Sequence, residues 1–218
     1  MITLQETSTK PKLLAYVTYT DPRGKGAPTL IRNNIAAAQH LSPQRGGEHV
    51  LLEIHSKIRG NKTRISILNV YGRLAKKDLK LDKIIEDSLD TSQGKQIVIV
   101  GYFNAPHSIW GCKFNSRRCK TLVSMIEQEV LALLNKPNTP TSLGRRTSGY
   151  TTPDLTMAQG ILATKCQNLG TSLGSDHEIM SIQIRGPRFK TQTGTAQLKQ
   201  KTGQNQAPMQ SALNTKPK

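Results

Sequence analysis

The sequence predicts a layered α/β or α+β domain in which strands outnumber helices. Runs of β-branched residues bounded by Gly, Pro or Asn alternate with two segments of helical periodicity. The run Ile97–Val100 is apolar on both faces, which is typical of a central strand that is covered above and below. At 218 residues the chain is long enough for one domain of ordinary size. This alternation favours helices packed on sheets.

The predicted strands are short segments rich in residues that favour extended backbone, and several end at Gly, Pro or Asn. In chain order they are Ile2–Gln5, Leu13–Thr18, Thr29–Arg32, Val50–Ser56, Arg64–Tyr71, Gln96–Gly101 and Ser181–Ile184.

Two helices are predicted from apolar residues that recur every three or four positions. The first covers Asp78–Leu89, and its apolar residues are Leu81, Ile84, Ile85 and Leu89. The second covers Arg118–Leu134, with Leu122, Ile126, Val130 and Leu133 at the same spacing.

Basic residues dominate the charge of the chain. Lysine and arginine number 31 against 14 acidic residues, which gives a net charge of +17 and a pI of about 10.1. This excess favours a polyanionic partner such as nucleic acid or an acidic membrane surface, although a merely soluble basic protein has the same composition.

The charge is concentrated at the C-terminal end. Seven basic residues and no acidic ones lie between Arg185 and Lys218, in a stretch rich in Gln, Thr, Pro and Gly with one aromatic residue. Such a segment cannot bury enough apolar surface to offset the entropy of ordering it. We therefore predict one domain over residues 1–185 and a basic disordered tail over residues 186–218.

Cysteine usage and hydropathy constrain the compartment. The three cysteines, Cys112, Cys119 and Cys166, have neither a disulfide pattern nor a zinc spacing. No apolar run approaches the ~18 residues of a membrane helix. The N-terminus has no basic region followed by an apolar one, as a secretory signal has. We expect a nuclear or cytoplasmic protein with reduced thiols that is not secreted.

The most specific pattern in the chain is the segment Ile99–His107. An apolar strand ends at Gly101 and is followed by Tyr102, Phe103, Asn104 and a loop that contains proline. Strand ends of buried sheets are common positions for binding and catalytic side chains. The amide of Asn104 could hold a phosphate or a water, but asparagine also forms turns for purely structural reasons.

Other polar residues follow predicted strands or loops in similar positions. A carboxylate beside an imidazole, as at Asp176 and His177, can tune a base that works near neutral pH. Glu6 ends a strand and could ligate a hard cation such as magnesium. Tyr71 ends another strand, and Asp154 could orient a histidine. Each also has an ordinary interpretation, as an exposed loop residue or a half-buried packing side chain.

The order of these motifs resembles that of the endonuclease/exonuclease/phosphatase superfamily. The series is LQET at 4–7, NVY at 69–71, G-x-F-N at 101–104, PDLT at 153–156 and SDH at 175–177. Within the superfamily it is most similar to the apurinic-endonuclease-like domain of non-LTR retrotransposons, because of the long segment Gly101–Gly111 that includes Trp110. The resemblance spans Met1 to about Ile184.

The resemblance implies a four-layered sandwich of two mixed β-sheets flanked by helices. It also implies metal-assisted hydrolysis of a phosphodiester, by which the retrotransposon domains nick one strand of target DNA. The implied cofactor is Mg²⁺ or Mn²⁺ on Glu6 and Asp176, and the implied partner is DNA. We expect no small-molecule cofactor and no membrane contact, and we expect the isolated domain to be a monomer.

The remaining roles are carried over position by position. Tyr71 matches the tyrosine that contacts the scissile phosphate, and Asn104 matches the asparagine that positions the phosphate or the nucleophile. His177 matches the histidine that acts as base or electrostatic stabiliser, and Asp154 matches the carboxylate that orients it.

Two departures from the family pattern put activity in doubt. Tyr102 stands where the family has the Asp of GDFN, which aligns or activates the attacking water. A phenol has an ordinary pKa near 10 and is a poor ligand for a hard metal. Loss of such a group typically costs about 10²–10⁴-fold in rate. The family also has a strand ending in Asn, and then a helix, before LQET, so we expect the fold to lack its first strand.

Three functions follow from this pattern. The first is a Mg²⁺-dependent DNA endonuclease that is impaired at Tyr102. The second is a catalytically inactive, basic nucleic-acid-binding remnant. The third is a phosphatase of the same superfamily. Basic residues expected near DNA are Arg23, Lys25, Arg32, Lys113, Arg117, Arg118, Lys120, Arg145 and Arg146.

Overall fold

The computed structural model describes residues 1–7, 10–22, 26–41, 48–58, 61–73, 80–93, 96–143, 151–161 and 163–185. The expected disordered tail over residues 186–218 lies outside these ranges. In chain order the strands are β1 (Ile2–Thr3), β2 (Tyr16–Tyr19), β3 (Thr29–Arg32), β4 (Ala36–His40), β5 (Glu48–Ile58), β6 (Asn61–Tyr71), β7 (Ile97–Tyr102), β8 (Ala132–Leu133), β9 (Asp154–Gln159), β10 (Ala163–Asn168) and β11 (Met180–Arg185). The helices are α1 (Leu81–Ser92), a 3-10 turn at Ser108–Trp110 and α2 (Arg117–Gln128).

A six-stranded mixed sheet forms the centre of the fold. Its order is β4-β5-β6-β7-β9-β8, with β6 and β7 parallel and all other neighbours antiparallel. The prediction that Ile97–Val100 is a central strand is confirmed. Ile97 and Ile99 pack on one face of the sheet, Val98 and Val100 on the other, and all four are buried.

Two smaller sheets cover one face of the large sheet. One has the order β1-β3-β2, and the other is the antiparallel pair β10-β11. Ile31 of β3 packs against Val50 and Leu52 of β5, while Ile182 and Ile184 of β11 pack against a second cluster on the large sheet. The α/β sandwich predicted from the sequence is therefore confirmed.

Both described helices cover the opposite face of the large sheet. Each directs its apolar stripe into one continuous core that also includes residues of β6, β7 and β9. The side chains from the helices are Leu81, Ile84, Ile85, Leu89, Cys119, Leu122 and Met125. No helix of the described ranges is long and apolar enough to cross a membrane.

The predicted helix Arg118–Leu134 is wrong at its C-terminal end. Helix α2 ends at Gln128, and Val130 has a left-handed backbone with φ of 52°. Ala132 and Leu133 instead pair with β9 as the edge of the large sheet. Apolar residues continue at helical spacing past the true end because the following strand also needs apolar residues for the core.

Other predicted bounds differ by a few residues. The strand predicted over Leu13–Thr18 begins only at Tyr16, because Leu13 and Tyr16 close a turn in which Ala15 has a φ of 65°. The helix predicted over Asp78–Leu89 begins at Leu81 and continues to Ser92. Four strands, β4, β8, β9 and β10, were not predicted.

Candidate active site

The ends of three adjacent strands bring together three of the predicted site residues. Tyr71 of β6 is paired with Tyr102 of β7, and Tyr102 is paired with Asp154 of β9. Directly paired residues project from the same face of a sheet. These side chains share the face of Val100 and Ala158, which packs toward the smaller sheets. The site therefore lies at one end of the sandwich, on the side away from the helices.

His177 and Asp154, which the sequence analysis paired, are in hydrogen-bond contact. The Nδ1 atom of His177 lies 2.7 Å from Oδ2 of Asp154. The hydroxyl of Thr141, which is fully buried, donates to the same carboxylate oxygen at 2.7 Å. The hydrogen bond to Asp154 raises the pKa of His177 against the opposing effect of burial. The surroundings therefore favour the charged imidazolium and fix the direction of the ring.

Tyr102 fills the space between Tyr71 and His177. Its ring centroid lies 5.6 Å from that of Tyr71 and 5.2 Å from that of His177, which it meets edge to face. Burial, followed by the charges of Asp154 and Glu6, raises the pKa of Tyr102 to about 12. The phenol is therefore neutral at physiological pH, and its ring takes up volume at the centre of the site.

The two residues assigned to metal binding lie at the edge of the same cluster. Burial, followed by the charge of Glu6 and a side-chain hydrogen bond with it, raises the pKa of Tyr71. Glu6 and Asp176 both act electrostatically on Tyr102 and on His177. The structure thus brings Glu6, three residues after the end of β1, together with groups that are more than 60 residues away in sequence.

Two site residues have a left-handed backbone that is unfavourable for residues other than glycine. Glu6 has a φ of 56° and Asn104 a φ of 51°. Such a conformation costs about 1–2 kcal/mol, although asparagine tolerates it better than most residues. Strain of this kind is concentrated at functional sites, where the surrounding structure holds it in place. Asn104 follows Phe103, which is buried and donates its backbone N–H to Pro153.

The glycine of the G-x-F-N motif has a steric explanation. Gly101 has a φ of 150°, and a Cβ atom there would lie 2.0 Å from the carbonyl oxygen of Val70. Only glycine permits β6 and β7 to approach this closely immediately before Tyr71 and Tyr102. The motif therefore sets the position of the site through the backbone as well as through its side chains.

The donor set does not fit a complete magnesium site. Magnesium binds hard oxygen ligands in near-octahedral geometry. Among the described residues no group of three or more His, Cys, Asp or Glu side chains is arranged to hold a metal ion. Glu6 and Asp176 supply carboxylates, but Tyr102 beside them presents a neutral phenol, which is a poor ligand for a hard metal. We therefore derive no chemical step through a metal in this chain.

Asn69, the first residue of the NVY motif, supports the site, although the sequence analysis gave it no role of its own. Its side chain is fully buried and lies 3.2 Å from the carbonyl oxygens of Leu4, Ala27 and Pro28, while Gln5 donates to it at 2.8 Å. These bonds tie the segment before Glu6 to β6. The available signal was an Asn inside an otherwise apolar strand, since a buried polar side chain must find partners.

The expected DNA-contacting residues fall into three groups. Arg118 is half-buried, and its guanidinium donates to the carbonyl oxygen of Gly72 at 3.1 Å. The side chains exposed to solvent are those of Arg32, Lys113, Arg117 and Lys120. The positions outside the described ranges are Arg23, Lys25, Arg145 and Arg146.

The α/β sandwich, with a histidine–aspartate pair at its strand ends, agrees with the endonuclease/exonuclease/phosphatase class. Residues 65–181 match the family model described as endonuclease-reverse transcriptase, and the chain belongs to that family. The resemblance inferred from the motifs is confirmed. No curated protein matches the chain by sequence.

Solved structures agree with this assignment at the level of the fold. The chain is similar to the endonuclease domain of TRAS1, a telomere-specific non-LTR retrotransposon, with 16% identity, a TM-score of 0.60 and coverage of 79% of this chain and 81% of that one. A Leptotrichia buccalis protein of the endonuclease/exonuclease/phosphatase family has 15% identity, a TM-score of 0.54 and coverage of 78% and 72%. A Bacteroides thetaiotaomicron mannosyl-6-phosphatase has 14% identity, a TM-score of 0.50 and coverage of 80% and 78%.

Proposed function

We propose that this chain is a DNA-binding domain of the retrotransposon endonuclease type whose phosphodiester-cleaving site is obstructed by Tyr102. The observation that carries this proposal is the position of the Tyr102 ring between Tyr71 and His177, at 5.6 and 5.2 Å between centroids. A phosphate that reached His177 at this point would compete with the ring for space. Tyr102 therefore opposes cleavage in two ways. It removes the carboxylate that the family has at this position, and its ring takes up space that the phosphate needs.

The remaining groups suit a phosphodiester substrate. His177 carries a raised pKa because of Asp154, so its charged form can pair with a phosphate oxygen. Tyr71 keeps its proton, since burial and the nearby Glu6 raise its pKa, and a protonated phenol donates rather than accepts. These residues can hold a phosphate, whereas no described group replaces the missing carboxylate as the one that aligns water.

A second candidate function is binding of nucleic acid without any cleavage. It is favoured by the incomplete donor set for a metal ion in the described part of the chain and by the net charge of +17. A strongly basic surface binds the phosphate backbone without regard to sequence, and such binding weakens steeply with salt. The phosphatase alternative has no comparable support, because the likeness to the mannosyl-6-phosphatase is one of fold alone.

The first test is nicking of supercoiled plasmid in Mg²⁺ by the purified chain and by its Tyr102→Asp variant. We expect the variant to nick at least about 10²-fold faster, since restoring an aligning group recovers an effect of that size. Tyr102→Phe is the matched control. It keeps the ring and removes only the hydroxyl, so it is expected to stay as inactive as the unmodified chain.

A second substitution connects the recovered activity to the site. Adding His177→Ala to Tyr102→Asp is expected to abolish nicking while the circular dichroism spectrum is unchanged. If the unmodified chain nicks as fast as Tyr102→Asp, Tyr102 is no obstruction and the proposal is wrong. If Tyr102→Asp is folded, binds DNA and still does not nick, the binding-only function takes its place.

A further inference from the structure

A loop that leaves the candidate active site is anchored by the single tryptophan of the chain. The Phe114 loop, residues 105–116, begins directly after Asn104. Trp110 is buried in the core beside the helices, and its indole N–H donates to the carbonyl of Ala105 at 3.1 Å. His107 packs on the indole at 5.1 Å between ring centroids. The loop is therefore fixed to the domain at its centre.

Hydrogen bonds across the Phe114 loop hold its two sides together. The backbone N–H of Cys112 donates to the carbonyl oxygen of His107 at 3.0 Å, and the backbone N–H of Ser116 donates to the carbonyl oxygen of Pro106 at 2.9 Å. The side chain of Asn115 accepts from the N–H of Ser108 at 2.9 Å. A loop closed by its own hydrogen bonds presents its outer side chains in one arrangement, which lowers the entropic cost of binding.

The tip of this rigid loop exposes an aromatic ring. Phe114 is 61% exposed, although its neighbours Cys112 and Trp110 are buried in the core. A phenylalanine in this position loses the burial that would stabilise it, about 1.5–3 kcal/mol for a large apolar side chain. An exposed aromatic on an otherwise anchored loop is a typical feature of a binding surface.

The surroundings of Phe114 are positively charged. Lys113 precedes it, and Arg117 and Lys120 are exposed three residues apart on the same face of α2. No acidic residue lies between Phe114 and Glu127, which is the second-to-last residue of α2. Exposed cations around an aromatic ring match a partner that combines phosphates with stacked bases.

Arg118 connects this surface to the candidate active site. Its guanidinium donates to the carbonyl of Gly72, next to Tyr71, at 3.1 Å. The start of α2, and the Phe114 loop before it, therefore lie beside the strand ends that carry the site.

We propose that the Phe114 loop is a duplex-DNA contact in which the Phe114 ring enters between two base pairs beside the candidate active site. Lys113, Arg117 and Lys120 hold the adjacent phosphates. This inference rests on the proposed function, because it specifies how the DNA is held there. Insertion of an apolar side chain unstacks a base step and bends the duplex, which would open the backbone toward the site.

The test measures binding of the full chain to a fluorescein-labelled duplex by fluorescence anisotropy, over a range of salt concentrations. Phe114→Ala is expected to weaken binding about 5- to 100-fold, which is the range for loss of one base–aromatic contact. The salt dependence of binding by Phe114→Ala is expected to stay unchanged.

Lys113→Ala is expected to reduce the slope of log affinity against log salt by about one unit. Val130, an apolar residue that is 80% exposed past the other end of α2, supplies the matched control, and Val130→Ala is expected to bind as before.

Permanganate oxidation of thymines reports unstacking separately from affinity. The unmodified chain is expected to make one thymine step reactive, and Phe114→Ala is expected not to. If Phe114→Ala binds and unstacks like the unmodified chain, the inserted ring is refuted while DNA binding stands. Absence of any DNA binding by the unmodified chain overturns both this inference and the proposed function.

Discussion

The charge of His177 depends on a single carboxylate. The hydrogen bond that His177 donates to Asp154 is the largest influence on the pKa of His177, and it raises that pKa while burial lowers it. Thr141 leaves Asp154 little freedom to turn away, because it binds the same carboxylate oxygen at 2.7 Å. A histidine in this position is charged over a wider pH range than a free one.

We predict that Asp154→Asn lowers the pKa of His177. Burial, which lowers this pKa, is then opposed by the weaker effects of Asp176 and Glu6. The measurement is an NMR titration of the imidazole protons of the purified chain. Asp176→Asn is the control, since Asp176 acts on His177 only through charge, and its effect is expected to be smaller. Equal effects of the two substitutions would contradict the assignment of Asp154 as the orienting group.

The same shift has a consequence for stability. The folded-state pKa of His177 lies above its unfolded value of about 6.5. Protonation therefore stabilises the fold fully below about pH 6.5, and this contribution is lost as the pH rises through the folded-state pKa. Thermal unfolding should show a decrease in stability over that window that is absent in His177→Gln.

At the scale of secondary structure elements, Asn69 is the polar link between the large sheet and the smaller sheet at the site. It connects β6 with Leu4, Ala27 and Pro28, at 3.2 Å to each carbonyl oxygen. Its loss leaves buried groups without partners, which costs about 1–3 kcal/mol for each group. The position of Glu6 depends on the same link, because Gln5 donates to Asn69.

We predict that Asn69→Ala lowers the free energy of unfolding by about 2–4 kcal/mol, measured by urea denaturation. Asn33→Ala is the control. Asn33 lies exposed between β3 and β4, so its replacement is expected to change stability by less than about 0.5 kcal/mol. A stability change in Asn69→Ala no larger than in Asn33→Ala would mean that this link is not important for the fold.

For the whole molecule, the sequence divides the charge between a domain and a tail. Residues 186–218 hold six basic and no acidic residues, so their removal reduces the net charge from +17 to +11. We predict that a chain ending at Arg185 unfolds at the same temperature but binds duplex DNA with a smaller salt slope. The expected reason is that the composition of this segment supplies cations and too few apolar residues to form a core.

The matched control replaces the six basic residues of the tail with glutamine and leaves its length unchanged. It should show the same reduced salt slope as the truncated chain. A lower melting temperature after truncation would instead mean that the segment packs on the domain, and the boundary predicted at residue 185 would be wrong.

The sequence by itself determined the class of fold and the identities of the groups at the site. Alternation of β-branched runs with helical stripes is a local property, because each element needs its own pattern to bury one face. The buried strand Ile97–Val100 was predicted for that reason. The order of short motifs along the chain indicated the superfamily. Glu6 and His177 were therefore named before their distance in space was known.

Only the tertiary structure decided how these groups act on one another. The end of α2 at Gln128 and the unpredicted strand β9 depend on long-range pairing, which local pattern does not encode. The same holds for Thr141 behind Asp154. Burial, followed by the charges of Asp154 and Glu6, raises the pKa of Tyr102 to about 12. Electrostatic and steric effects depend on distances through space, and the chain folds residues far apart in sequence into one site.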